Sequence, residues 1–119
     1  MITIFLKILV HGSLQFSKDK YFVSKSHDIV EIPILRVISN DGDVAVKWKT
    51  KDMTALNGLN YTGGEGVIKF EHDQTHEYVL KFPLFDLDGK EGDILFEIKL
   101  YNPEGGATVE NNIQTVIGE

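Results

Sequence analysis

The densest run of groups able to hold a cation is Phe85-Asp86-Leu87-Asp88-Gly89-Lys90-Glu91-Gly92-Asp93. It sets Asp86, Asp88, Glu91 and Asp93 around a lysine. Carboxylates at such spacing suit hard cations, and calcium takes about six to eight oxygen ligands. Asp86, Asp88 and Glu97 fall at positions 1, 3 and 12 of an EF-hand loop. Position 5, however, is Lys90, and position 6, where the turn needs glycine, is Glu91. The flanks also alternate as strands rather than helices, so the EF-hand reading fails. A solvated acidic turn and an oxygen site for calcium both remain open.

Other chemistries find less support. The chain has no cysteine, which excludes disulfides, thiol catalysis and cysteine zinc sites. His11, His27, His72 and His76 are scattered. His72 and His76 would share a face only on a helix, and their segment reads as turn then strand. No G-x-S-x-G elbow frames a serine, and no glycine-rich loop leads into a helix. A hydrolase or a phosphate site is therefore not supported. The net charge of −6 disfavours a nucleic-acid partner, and the nearest thing to a basic patch, Lys47, Lys49 and Lys51, has the spacing of one solvated strand face. Asn60-Tyr61-Thr62 is a glycosylation sequon, with Asn60 the candidate acceptor in a secreted context.

The elements that would position these groups are strands. Val44, Val46 and Trp48 alternate with Ala45, Lys47 and Lys49 after an Asp41-Gly42 turn. Strands are expected at Ser13–Phe16, Lys20–Ser24, Asp28–Ser39, Asp43–Thr50, Gly66–Phe70, His76–Leu84, Asp93–Tyr101 and Thr108–Ile117. In the long third segment Val30, Ile32 and Ile34 share one parity while Leu35 and Val37 take the other. That slip predicts a bulge near Pro33–Leu35, where proline also costs a ladder hydrogen bond. Tyr78, Leu80, Phe82 and Leu84 share a face, as do Ile94, Phe96, Ile98 and Leu100. With Trp48 they give an inner layer in which Trp48, Phe82 and Phe96 are expected to be buried. No apolar 3.6-residue period persists, so essentially no helix is expected. At 119 residues, seven or eight such strands make one all-β sandwich or barrel.

The same segments carry a family resemblance. Thr50-Lys51-Asp52-Met53-Thr54-Ala55-Leu56-Asn57-Gly58-Leu59-Asn60-Tyr61 resembles the T-x-D-G-T-A-x-x-G-x-D-Y loop of the Calx-beta repeat. Phe16…Tyr21-Phe22-Val23-Ser24 is similar to its opening, and Val30–Arg36 to its V-x-I-x-V-x-R strand. Tyr101-Asn102-Pro103-Glu104-Gly105-Gly106-Ala107 resembles its L-x-N-P-x-G-A turn, followed by a T-V-x-I strand at Thr115–Ile117. The resemblance implies an immunoglobulin-like β-sandwich of two antiparallel sheets over residues 13–119. Residues 1–12, opening MITIFLKILV, are then a linker or junction strand from a preceding repeat. They lack the basic start and cleavage site of a signal peptide and are too short to span a bilayer.

Such repeats occur in sodium/calcium exchangers, in an integrin β-subunit tail, and in large extracellular adhesion receptors and matrix proteins. Exchanger repeats bind calcium at one end of the sandwich. By that resemblance the ligands here would come from Asp86, Asp88, Glu91 and Asp93, with Asn60 and the chain-end Glu119. Two positions depart: the opening glutamate is Lys25, and the loop aspartate is Asn60. The resemblance therefore implies weak or absent calcium binding. The expected role is non-enzymatic: a structural, adhesive repeat on the extracellular side of a membrane or matrix protein. Its partners would be neighbouring repeats and surface or matrix proteins, with no nucleic acid and no membrane insertion of its own. The alternative is a calcium sensor in an exchanger, at the cytosolic face.

Overall fold

The computed structural model describes residues 11–74, 76–85 and 92–119. The expected junction at residues 1–10, and Asp86, Asp88, Lys90 and Glu91 of the acidic loop, lie outside them. The strands are β1 (Ser13–Phe16), β2 (Lys20–Val23), β3 (Ile29–Val37), β4 (Val44–Asp52), β5 (Glu65–Phe70), β6 (Glu77–Pro83), β7 (Ile94–Glu104), β8 (Thr108–Val109) and β9 (Ile113–Gly118). No helix occurs among the described residues. One sheet has the order β6-β3-β1-β8, the other β2-β9-β7-β4-β5.

The sheets are mixed rather than wholly antiparallel, because β1 pairs parallel to β8 and β2 parallel to β9. Both exceptions arise where the chain changes sheet. Between β1 and β2 it crosses from the first sheet to the second. The expected last strand, Thr108–Ile117, likewise divides into β8 and β9. Asn111 takes φ 44° at the break, a conformation asparagine tolerates better than most residues. Its Nδ2 donates to the Phe16 carbonyl at 3.0 Å, and Asn112 Nδ2 donates to Leu100 O at 3.2 Å.

The inner faces follow the alternation. Val30, Ile32, Ile34, Val44, Val46, Ile68, Phe70, Leu80, Phe82, Leu84, Ile94, Phe96, Ile98 and Leu100 are all buried. Each such side chain contributes roughly 1.5–3 kcal/mol. Trp48 is only partly buried, at the margin of this layer, edge-on to Phe82 with centroids 5.6 Å apart. Gly66 makes room for it: a Cβ there would meet the indole at 2.8 Å. Tyr78, expected inside, is 42% exposed although it pairs with the buried Ile34, because it stands near the start of β6, the outer strand of its sheet.

The expected bulge at Pro33–Leu35 is absent, and β3 keeps an unbroken register with β6 from Ile29 to Leu35. The parity does not slip; it continues through a buried arginine, Arg36. Leu35 and Val37 are half-buried on the other face. The Arg36 N–H donates to His76 O toward β6, so by alternation Pro33 turns its missing N–H the other way. There β1 has already ended, since Phe16 pairs with Ile34. The register irregularity lies instead in β4, facing β7, between Ala45 and Lys47.

Candidate functional site

β1 begins at one end of the sandwich and β9 finishes at the other, where Gly118 pairs with Ile94. We call these the entry and exit poles. The exit pole gathers the turn after β2, the loop after β4, Gly92–Asp93 and Glu119. The Lys25 and Glu119 backbones hold the terminus down: Lys25 N donates to Glu119 O at 3.1 Å and Glu119 N to Val23 O at 3.0 Å. Leu84 N reaches Asp28 O at 2.8 Å, and Phe85 N reaches Asn60 O at 2.9 Å.

The loop between β4 and β5 is built around Asp52, Asn60 and Tyr61. Asn60 is 2% exposed, and its Oδ1 accepts the Leu56 N–H at 3.0 Å. Tyr61 stacks on Phe96, centroids 4.0 Å apart, and donates its hydroxyl to Asp52 Oδ1 at 2.6 Å. The same oxygen accepts the Asn57 N–H. Burial, and then the Asp52 hydrogen bond, push the Tyr61 phenol up to about 12. Thr54 ties this loop to β7: its hydroxyl donates to Asp93 O at 3.3 Å and accepts the Leu95 N–H at 2.7 Å.

These contacts bear on a cation. The Lys25 ammonium donates to the Gly92 carbonyl at 2.5 Å, 67 residues away in sequence. A protein cation therefore already sits beside Asp93, in the part of the loop from which ligands were expected. Asp93 is exposed, and Asn60 has its side-chain oxygen committed to backbone. No group of three or more His, Cys, Asp or Glu side chains fit to hold a metal occurs among the described residues. Calcium needs several convergent anionic oxygens, and the described residues at this pole do not by themselves gather them. The burial of Asn60 also leaves the folded domain without an accessible acceptor at the Asn60-Tyr61-Thr62 sequon.

The entry pole holds what sequence reasoning missed. Arg36 is 2% exposed. Its guanidinium donates to the carbonyls of Asp41 at 2.7 Å, Gly42 at 2.8 Å, Ser39 at 3.1 Å and His11 at 3.2 Å. Burial lowers its pKa, while Asp41, Asp43 and Asp73 oppose that shift. The fork geometry of a guanidinium suits several carbonyls at once. Arg36 thus fixes the incoming backbone to the turn between β3 and β4. Gly12, at φ 90°, permits the approach, since a Cβ there would lie 2.4 Å from Ser39 O. His72 accepts the Gly42 N–H at 2.8 Å and lies within 3.5 Å of both Asp41 and Asp73. The signal in the sequence was an arginine on the apolar parity of a strand.

Comparison with known proteins agrees with this architecture. The Calx-beta domain family matches residues 10–117. Integrin beta-4 of Rattus norvegicus is 31% identical over 96% of this chain and 7% of its own length. Adhesion G-protein coupled receptor V1 of Danio rerio is 33% identical over 81% of this chain and 2% of its own. The chain thus spans a small part of the relatives it matches. Among solved structures, the apo-form Calx CBD1 domain superposes with a TM-score of 0.80 at 26% identity, covering 88% of this chain and 93% of that one. The calcium binding domain CBD12 of CALX1.1 gives 0.80 at 26% identity, over 89% of this chain and 44% of that one.

Proposed function

Since this chain belongs to the Calx-beta domain family, we propose that it serves as a non-enzymatic structural repeat of a large adhesion protein, with weak or absent calcium binding. The observation that carries this is the Lys25 ammonium on the Gly92 carbonyl. Where a metal-dependent repeat would need an anion, this domain brings its own cation and closes the exit pole with internal hydrogen bonds. The likeness to integrin beta-4 and to an adhesion G-protein coupled receptor supports an adhesion protein as the setting, and the receptor supports an extracellular array with neighbouring repeats and surface proteins as partners.

The second reading, an exchanger's calcium sensor, is favoured by the likeness to a calcium binding domain at 26% identity. Thermal melting in 1 mM calcium against chelator separates the two. Binding to the native state stabilises by RT ln(1 + [L]/Kd). A sensor with a dissociation constant near 1 μM would gain about 4 kcal/mol, whereas a millimolar site gains less than about 0.5 kcal/mol. A gain of at most about 1.4 kcal/mol is expected, that of a site near 10⁻⁴ M, and a gain of about 4 kcal/mol would restore the sensor.

A further inference from the structure

Strand β5 ends the five-stranded sheet and pairs on one side only, with β4. An outer strand presents unpaired N–H and C=O groups to solvent. Thr50 N donates to Gly64 O at 2.9 Å, so these two residues form a hydrogen-bonded pair of the β4–β5 ladder. Such pairs alternate along an antiparallel ladder. With Trp48 opposite Gly66 and Val46 opposite Ile68, the bonds to β4 fall to Gly66, Ile68 and Phe70. Glu65, Val67 and Lys69 therefore turn both backbone groups away from the sheet. Among the described residues, no backbone hydrogen bond runs from these three to any other segment.

Their side chains share the outer face and are all exposed, Val67 by 52%. Native edges are commonly guarded by a proline, by a bulge or by charge that repels a second strand. β5 has no proline, and its register with β4 is unbroken. Its charges are not of one sign: Glu65 and Lys69 stand two residues to either side of Val67. Neither has an ion pair of its own among the described residues.

We infer that β5 pairs antiparallel with β5 of a second copy of this chain, about a two-fold axis at Val67. In that register each Val67 faces its own copy, and each Glu65 lies opposite Lys69 of the other chain. The residues with free backbone groups on one copy then meet the same residues on the other, as hydrogen-bonded pairs of an antiparallel ladder require. Opposite charges directly across a ladder attract, and like charges repel. Parallel pairing in register would instead set glutamate on glutamate and lysine on lysine. The contact uses the same patch on both copies, so it closes at two and joins two five-stranded sheets edge to edge. Two six-residue strands bury less than the roughly 1,200 Å² of a standard interface, so the pair is weak and reversible. The inference goes beyond the repeat reading above and does not rest on it.

The charge arrangement gives the test, by sedimentation equilibrium of the 119-residue chain at concentrations up to about 1 mM. The unmodified chain should show a monomer–dimer equilibrium. Glu65→Lys makes both charged positions of the edge basic, and Lys69→Glu makes both acidic. Either variant alone should self-associate about tenfold or more weakly, because two attractive pairs become repulsive. An equimolar mixture of the two should dimerise again, since every cross-strand pair is then opposite in sign. Val67→Pro removes an N–H that β4 does not use, so it should abolish pairing and leave the melting temperature little changed. A chain that stays monomeric at every concentration would overturn the proposal. So would a mixture that associates no better than its components. Self-association that survives Val67→Pro would also overturn it and assign the contact to another surface.

Discussion

The Arg36 guanidinium donates to the Asp41 carbonyl at 2.7 Å from a position inside the sandwich. This joins the last inward residue of β3 to the turn that follows it, and through His11 to the entering chain. A charge is retained in the core because its hydrogen bonds go to fixed backbone oxygens, the condition under which burial is tolerated.

Arg36→Met should therefore cost roughly 2–4 kcal/mol in denaturant titrations, because several buried carbonyls lose their donor. Arg36→Lys should recover little of this, since one ammonium cannot serve the same spread of carbonyls. A loss below about 0.5 kcal/mol for either would show that water replaces the guanidinium freely.

Tyr61 should ionise late. Its folded pKa is raised to about 12 by burial and by Asp52. A raised pKa favours the neutral phenol, so its contribution to stability is complete below the unfolded value of about 10. It is lost as pH climbs through about 12. Absorbance titration should show a late step that Tyr61→Phe removes. An unchanged titration in that variant would contradict the assignment.

The strands were legible because alternation reports burial directly, as in Ile94, Phe96, Ile98 and Leu100. Arg36 was not, since an arginine on an apolar parity reads as a register slip until its acceptors are seen, and they come from residues 11, 39, 41 and 42. Tyr78 was misread for a related reason: periodicity gives the face of a residue but not how far the opposing sheet extends over it. The parallel pairs of β1 with β8 and β2 with β9 follow from where the chain changes sheet, which no local pattern records. At the exit pole the departures at Lys25 and Asn60 were visible. Their consequences, a lysine on Gly92 and a buried amide on Leu56, needed the fold.

Trp48→Ala should cost roughly 2–3 kcal/mol, short of the roughly 3–5 kcal/mol of a fully enclosed ring, because the indole packs on Phe82 at the margin of the core. Lys47→Ala should cost less than about 0.5 kcal/mol, as that side chain is solvated. Equal losses at the two positions would mean that the faces of β4 are reversed.

Lys25→Glu combined with Asn60→Asp should raise calcium affinity, since it replaces a cation and a neutral amide at the exit pole by carboxylates. Loss of the Lys25 contact to Gly92 should also make the melting temperature of the double variant calcium-dependent. A variant that folds and still ignores calcium would show that the exit pole lacks the geometry for the ion, whatever its charge.

Calorimetric titration of calcium into the unmodified 119-residue chain tests the central claim most directly. The account predicts no heat of binding, or a dissociation constant no tighter than the roughly 10⁻⁴–10⁻³ M of weak extracellular modules. A micromolar site, lost on Asp93→Ala or Asp88→Ala, would contradict it and make the domain a calcium sensor.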